Sequence, residues 1–376
     1  MRKFIFRIFI FSIPLFLVLM PPLWYLYKAK ENFFDLERFL KNSNTEKYLI
    51  GYAYNEKNYR YLKWKSISIN PKCDVWSIGS SRAMQFRKEM FVKSFYNAGF
   101  IVRKINEFLP LMKSIDSSKH PDVLIITLDT WMFNANYDKV DEDIDETKWS
   151  NSFSLNPNFQ ILKSVWKDII VNKFESEKIY NSNGFNRIGC KALYKNSGFR
   201  NDGSFYYGQQ IQKLLIKDST CSDYNFKNTF SRIDRGIKLF EYGNTPNPKA
   251  FEELEKFLDY CQNNSIMVVL IMPPFAKATY NKMLTSGNYK YIQHIPEKCN
   301  ILAKKYGFEF YNFTAPIAIN SDDNEFIDGF HGSEKVYLKM LINIMGTKSI
   351  LNKESNIDKL KKDLDASISD YQVYKN

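Results

Sequence analysis

The sequence predicts an α/β fold, a parallel sheet covered by helices on both faces, preceded by one apolar helix. Three observations predict it. Residues Ile8 to Tyr27, IFIFSIPLFLVLMPPLWYLY, form an uncharged apolar stretch of about the twenty residues a helix needs to cross a bilayer. From Cys73 onward, short apolar runs alternate with amphipathic stretches, the order that argues for parallel strands joined by helices. One of those runs, VLIITL, is apolar but for Thr127, as a strand buried on both faces is.

The elements follow in chain order. Arg2, Lys3 and Arg7 precede the apolar stretch, so the positive-inside rule puts the N-terminus in the cytoplasm and the rest of the chain outside, with Trp24, Tyr25 and Tyr27 at the outer interface. No small-x-small cleavage site follows, so residues 1–30 read as an uncleaved anchor rather than a removed signal peptide. Residues 31–72, polar and Tyr-rich, read as a stalk packing onto the main domain. Asp74–Ile78 (DVWSI) and Val123–Leu128 read as strands, with Ile101, Ile105, Phe108, Leu109 and Met112 at helical spacing between them. Phe251, Leu254, Phe257, Leu258 and Cys261 mark a helix face; Ile266–Met272 (IMVVLIM) is a strand ended by Pro273 and Pro274. A helix towards Tyr306, capped by Gly307, leads into the strand Phe308–Phe313. The main domain thus spans 73–346, interrupted by a loop-rich insertion at about 133–247. The charged segment 347–376 reads as a solvated terminal helix.

Composition narrows the function. The formal net charge of +12 favours anionic partners, yet the charge is scattered, with no zinc-finger spacing and no dense basic run, so nucleic acid is not expected. Five cysteines lie too far apart for a metal motif. Outside the cytoplasm a disulfide is permissible; Cys190 and Cys221 are the best pair, the alternative being that all are unpaired. No spacing implies a metal or nucleotide cofactor.

Chemistry concentrates in two stretches. In CDVWSIGSSRAMQF, Cys73 to Phe86, a strand runs into Gly79-Ser80-Ser81 and a helical stretch. That puts the serines at the strand's carboxyl end, near helix N–H groups able to hold an anion. In FIDGFHGSEKVYLKML, Asp328 stands three residues before His331 and can orient it as the base for a serine. Read without chemistry, this second stretch is a turn ending at the N-cap Ser333. His120 and His294, the other two of three histidines, read as a surface turn and a polar helical position. Arg82 pairs either with an acidic sugar or phosphate, or with a local carboxylate. Met272–Phe275 (MPPF) reads as the rim of the site.

Taken together, Gly79-Ser80-Ser81-Arg82 and Asp328-Gly329-Phe330-His331 resemble the first and last motif blocks of the SGNH (GDSL-like) hydrolase superfamily, over about Cys73 to Gly346 without the insertion. The resemblance implies a flavodoxin-like three-layer sandwich around a central parallel sheet, with Ser81 as nucleophile, His331 as base and Asp328 as its orienting acid; Ser80 stands where many members carry Asp. For the second block YNAGF (Tyr96–Phe100) offers Asn97 as a substrate contact and the Gly99 N–H, beside that of Ser81, to the oxyanion hole, but not the longer Asn-to-Gly spacing of many members. The third block, usually Gly-x-Asn-Asp, is replaced by TLDTWMFN, so the oxyanion Asn is missing from its place. Asn134 is the nearest substitute, and Asp129 reads as structural instead.

These departures, with the anchor, look most like exported SGNH-like proteins that accompany cell-envelope polysaccharide assembly. The resemblance implies a single-pass protein of the bacterial inner membrane, its catalytic domain periplasmic, that is an esterase or O-acyltransferase acting, with an acyl donor, on a surface glycan. A membrane-bound acyltransferase is the implied partner. The competing expectation is a non-catalytic SGNH-like module that binds glycan or assists such an acyltransferase.

Overall fold

The computed structural model describes residues 1–31, 36–41, 47–154, 158–181 and 186–375. The chain divides into two compact units, Met1–Tyr59 with Ser152–Asn201 and Phe205–Gln209, and Arg60–Asn151 with Asp202–Ser204 and Gln210–Asn376.

The second unit is built on five strands: β1 (Val75–Gly79), β2 (Phe95–Gly99), β3 (Val123–Thr127), β4 (Met267–Met272) and β5 (Glu309–Asn312). They lie in the order β2-β1-β3-β4-β5, every neighbouring pair parallel. Because side chains alternate across a strand, the apolar runs feed two separate cores. Trp76, Ile78, Leu124, Ile126, Val268 and Leu270 pack under the helices Phe108–Lys113, Pro248–Asn263 and Ile295–Lys305. Val75, Val123, Ile125, Val269 and Ile271 pack on the opposite face beneath the helix Glu334–Met345. Fully burying each such side chain is worth about 1.5–3 kcal/mol. Helices therefore cover both faces, as the double-sided apolar runs require. Gly307 ends the helix before β5 at φ 72°, a conformation glycine adopts without steric cost.

The chain leaves β1 towards β2 and returns past it to β3, so the sheet order reverses at β1. Ligand crevices form at the carboxyl ends of strands beside such a reversal, and Ser81 lies two residues beyond the end of β1.

Three details differ from the sequence expectation. β2 was not expected as a strand, because FYNAG lacks a β-branched run. The stretch after Ser80 is not a helix but a single 3-10 turn, Ser81–Ala83, so no helix dipole stands behind Ser81. The C-terminal segment holds a 3-10 turn, Ile350–Lys353, and the α-helix Ile357–Asp365, and it is not wholly solvated: Leu360 and, beyond the helix, Val373 are buried in the second core. Ile357, Leu360 and Leu364 recur at helical spacing, and that stripe draws the helix onto the domain.

The first unit contains the apolar helix Arg2–Lys28, long and apolar enough to cross a membrane. Its last turns leave the apolar exterior: Pro22, Tyr25 and Leu26 are buried in a core shared with Val165, Phe174, Ile179 and Cys190. Four two-residue strands, Arg187–Ile188, Leu49–Ile50, Gly198–Phe199 and Phe205–Tyr206, make a small mixed sheet. The Glu31 carboxylate accepts the N–H groups of Ala53, Tyr54 and Cys190. Within the segment expected as a stalk, Leu49–Ile50 joins this sheet, whereas Lys63 and Ile67 are buried in the second unit. All five cysteines are free, Cys190 and Cys221 included. Cys190 is enclosed by apolar side chains of the first unit, and Cys221 belongs to the second.

Candidate active site

Two loops of the second unit meet. Gly79 closes β1 at φ 152°, and a Cβ there would fall 2.0 Å from the Thr127 hydroxyl of β3, so only glycine lets the strand end this close to its neighbour. The chain then turns. Ser80 Oγ accepts the Arg82 N–H at 3.1 Å and its carbonyl accepts those of Ala83 and Phe100. A serine hydroxyl thus does the capping work that a carboxylate could do at this position. Ser81, the first residue of the turn, is half-buried.

From the other side comes the loop before the helix Glu334–Met345. It is pinched by the Ile327 N–H donating to the His331 carbonyl at 2.8 Å. The His331 imidazole reaches Ser81 Oγ through Nε2 at 2.8 Å and Asp328 Oδ2 through Nδ1 at 2.7 Å. Asp328 Oδ1 accepts the N–H groups of Phe330 and His331 at 3.0 and 2.9 Å. Both oxygens are occupied, which fixes the carboxylate and through it the ring. Ser81 and the Asp328–His331 pair, 250 residues apart in sequence, therefore form one continuous relay, with Ser81 and His331 partly open to solvent.

Burial pushes the Asp328 carboxyl up, but the facing His331 and the three hydrogen bonds outweigh it, and the group sits below the ordinary carboxylate range. A carboxyl whose folded pKa is lowered contributes stability that is complete above its unfolded value and lost as pH falls through the folded one. Acidification below about pH 4 should therefore narrow the thermal-stability gap between wild type and Asp328→Asn. Melting curves for the two proteins across that range test this; curves that stay parallel would contradict it.

The remaining expected residues lie elsewhere. Gly99 donates its N–H to Asn97 Oδ1 at 2.8 Å, so that donor is already spent. Asn97 is fully buried and its amide holds the carbonyls of Ala83 and Phe86 at 2.9 and 2.8 Å. It steadies the turn behind Ser81 instead of meeting substrate. Asn134 is buried too, donating to the carbonyls of Glu241 and Tyr242 and accepting the Asn136 N–H. Of the expected oxyanion donors, the Ser81 N–H alone is given to no protein acceptor among the described residues.

Arg82 turns inward, 1% exposed. Its guanidinium pairs with Asp129 Oδ1 at 3.3 Å, donates to the carbonyls of Pro273 and Pro274 at 2.7 Å each, and lies over the Phe275 ring at 4.3 Å. The local carboxylate, not an acidic ligand, is its partner. The same bonds give the MPPF stretch its part: its carbonyls anchor the residue next to Ser81. His120 is buried, its Nε2 at the carbonyls of Met112 and Ile115, where the sequence suggested a surface turn.

No protein-family model matches this chain, and no curated protein matches it. The chemistry accordingly rests on the geometry. Among the described residues no group of three or more His, Cys, Asp or Glu side chains could hold a metal ion.

One support had no sequence signal. Asp223, from the loop-rich insertion, accepts the Gly329 N–H at 3.1 Å while also taking the Thr229 hydroxyl and the N–H groups of Asn228 and Thr229. It ties the Asp328–His331 loop to the helix Lys227–Arg235. The fit is tight at Gly329, where a Cβ would meet the Thr229 side chain at 2.5 Å. Gly329→Ala should displace the loop, costing about 1–3 kcal/mol in overpacking and a larger share of turnover, because the base moves off Ser81. Parallel measurement of melting temperature and ester hydrolysis decides; unchanged turnover would show that the loop absorbs the methyl group.

Proposed function

We propose that this protein is a membrane-anchored serine esterase or O-acyltransferase that works through an acyl-Ser81 intermediate on an O-acylated cell-surface polysaccharide. The observation that carries this reading is the unbroken Ser81–His331–Asp328 relay, with hydrogen bonds of 2.8 and 2.7 Å. Its support is the placement of Ser81 beyond the carboxyl end of β1, in a sheet whose order is that of flavodoxin-like folds; the finer assignment to the SGNH type is part of the same proposal.

In the reaction, Ser81 Oγ attacks the acyl carbonyl as His331 Nε2 takes its proton, and Asp328 holds Nδ1–H and balances the imidazolium. The Ser81 N–H faces the developing oxyanion. Collapse expels the first alcohol, protonated by His331, and leaves the acyl group on Ser81. Water or a sugar hydroxyl, deprotonated by His331, then takes the acyl group. Which acceptor prevails depends on water exclusion from the site. The apolar N-terminal helix with Arg2, Lys3 and Arg7 before it supports an extracytoplasmic catalytic unit, where a surface polymer would be met.

The test treats the full-length chain in detergent with a fluorophosphonate probe, beside Ser81→Ala and His331→Ala. Cutting near residue 30 is avoided because Tyr25, Leu26 and Ala29 are core residues of the first unit. Labelling lost in both variants supports an activated serine. A folded wild type that stays unlabelled overturns the enzyme reading and leaves the glycan-binding module.

A further inference from the structure

The apolar helix changes character part-way along. From Phe4 to Met20 its large side chains are exposed, Leu19 in part, whereas beyond them Pro22, Tyr25 and Leu26 are buried in the first unit and Trp24 and Tyr27 stay about half exposed. The exposed part is roughly 17 residues, or about 26 Å at the helical rise, close to the hydrocarbon thickness of a bilayer. The boundary falls at the Pro21-Pro22 pair. Proline has no N–H, so the Val18 carbonyl loses the donor that residue 22 would have supplied. Trp166 fills the gap: its indole N–H donates to the Val18 carbonyl at 2.7 Å.

Trp166 belongs to the helix Phe159–Ile170. On that helix Phe159, Lys163, Trp166 and Ile170 are spaced i, i+4, i+7, i+11 and form one stripe. Phe159 and Ile170 at the stripe's two ends are 79% and 76% exposed, and Val171 just beyond is 59% exposed. Lys163 and Lys167 are exposed on and beside the stripe. The opposite side is occupied: Val165 is buried in the unit's core, and Asp168 accepts the Tyr54 hydroxyl and the Lys173 ammonium. The helix therefore shows an amphipathic stripe, apolar at Phe159, Trp166 and Ile170 with Lys163 among them and Lys167 beside them, level with the point where the anchor leaves its exposed stretch.

We propose that the helix Phe159–Ile170 lies in the plane of the membrane surface, with Phe159, Trp166 and Ile170 inserted at the level of the headgroups and Lys163 and Lys167 on lipid phosphates. This rests on the reading that the helix Arg2–Lys28 crosses the bilayer. Interfacial helices of this composition sit about 5–10 Å into the headgroup and acyl boundary, and tryptophan is enriched there. The occupant is lipid because the stripe is continuous, through the Trp166–Val18 bond, with the surface of the anchor itself. The consequence is a fixed posture: one spanning helix alone leaves a domain free to swivel, while a second contact in the surface plane holds the first unit at one depth.

The test uses the full-length chain with its five native cysteines replaced by serine or alanine, reconstituted in vesicles containing anionic phospholipid, with a spin label at a single introduced cysteine in place of Phe11, Phe159, Ile170 or Glu177. Power saturation compares collision with oxygen, which concentrates in lipid, against a water-soluble nickel chelate. Labels at 159 and 170 should show an oxygen-to-nickel ratio several-fold above that at the exposed Glu177 position, with the label at 11 higher still. A lipid signature at 11 with a water signature at 159 and 170 overturns the surface contact and leaves the anchor standing. A water signature at 11 removes the anchor reading and this proposal together.

Discussion

Ser81→Ala and His331→Ala each remove turnover of a simple acyl ester, and the double variant is no slower than either single one. On the proposed mechanism the hydroxyl and the imidazole, joined at 2.8 Å, act as one device, so deleting either should remove the activation of Ser81 as completely as deleting both. Losses on the order of 10⁴- to 10⁶-fold are expected for such a unit. Asp328→Asn leaves the loop bonds at Oδ1 largely intact but favours the wrong imidazole tautomer, a fault worth on the order of 10⁴-fold where it has been isolated. The wild-type rate should itself be modest. With the Gly99 and Asn134 donors committed to Asn97, Glu241 and Tyr242, the hole is left with the Ser81 N–H, and one missing donor typically lowers turnover on the order of 10²- to 10³-fold. Initial rates on an aryl ester for wild type, both singles and the double test this. Losses that multiply in the double variant would mean that the two groups act independently, and would sink the relay as a mechanism.

How far the sequence revealed this follows the range of each interaction. The strands that became β1, β3 and β4 were legible because burial on both faces writes itself as a mostly apolar run, and β5, a half-buried edge strand, because the helix ended by Gly307 leads straight into its aromatic residues. β2 was not, since its Asn97 and Gly99 serve the Ser81 turn rather than the core. The relay was legible because Asp328 and His331 sit in one short loop and Ser81 at a strand end, so their meeting needed only the sheet order. What the sequence hid was competition for hydrogen bonds. Asn97 and Asn134 look like free amides in a string of letters, yet burial obliges every such group to find partners, and nearby backbone claimed them. Asp223 was hidden for another reason: it reaches Gly329 across 106 residues, from an insertion with little periodicity to fix its position.

Arg82→Gln destabilises the second unit without acting as a substrate-binding variant. In the wild type both partners are fully enclosed, Arg82 1% and Asp129 0% exposed. Burial pulls the Arg82 pKa down and pushes the Asp129 carboxyl up, each opposed by the other's charge. Breaking such a pair by removing one charge typically costs about 3–5 kcal/mol, because the survivor is left buried and uncompensated. The carbonyls of Pro273 and Pro274 lose their donor in the same step. The loss has a definite pH dependence. A carboxyl whose folded pKa is raised contributes most stability when protonated and loses it as pH rises through the folded value; without Arg82 that value rises further, so the deficit against wild type is smallest in acid and grows towards neutrality. Asp129→Asn, which keeps the shape and removes the charge, should instead leave Arg82 uncompensated at every accessible pH, since arginine does not deprotonate. Chemical denaturation of both variants at several pH values checks the pattern. A stable Arg82→Gln with raised KM and unchanged kcat would return the guanidinium to the substrate; a stability loss that widens with pH assigns it to the turn that holds Ser81 against His331.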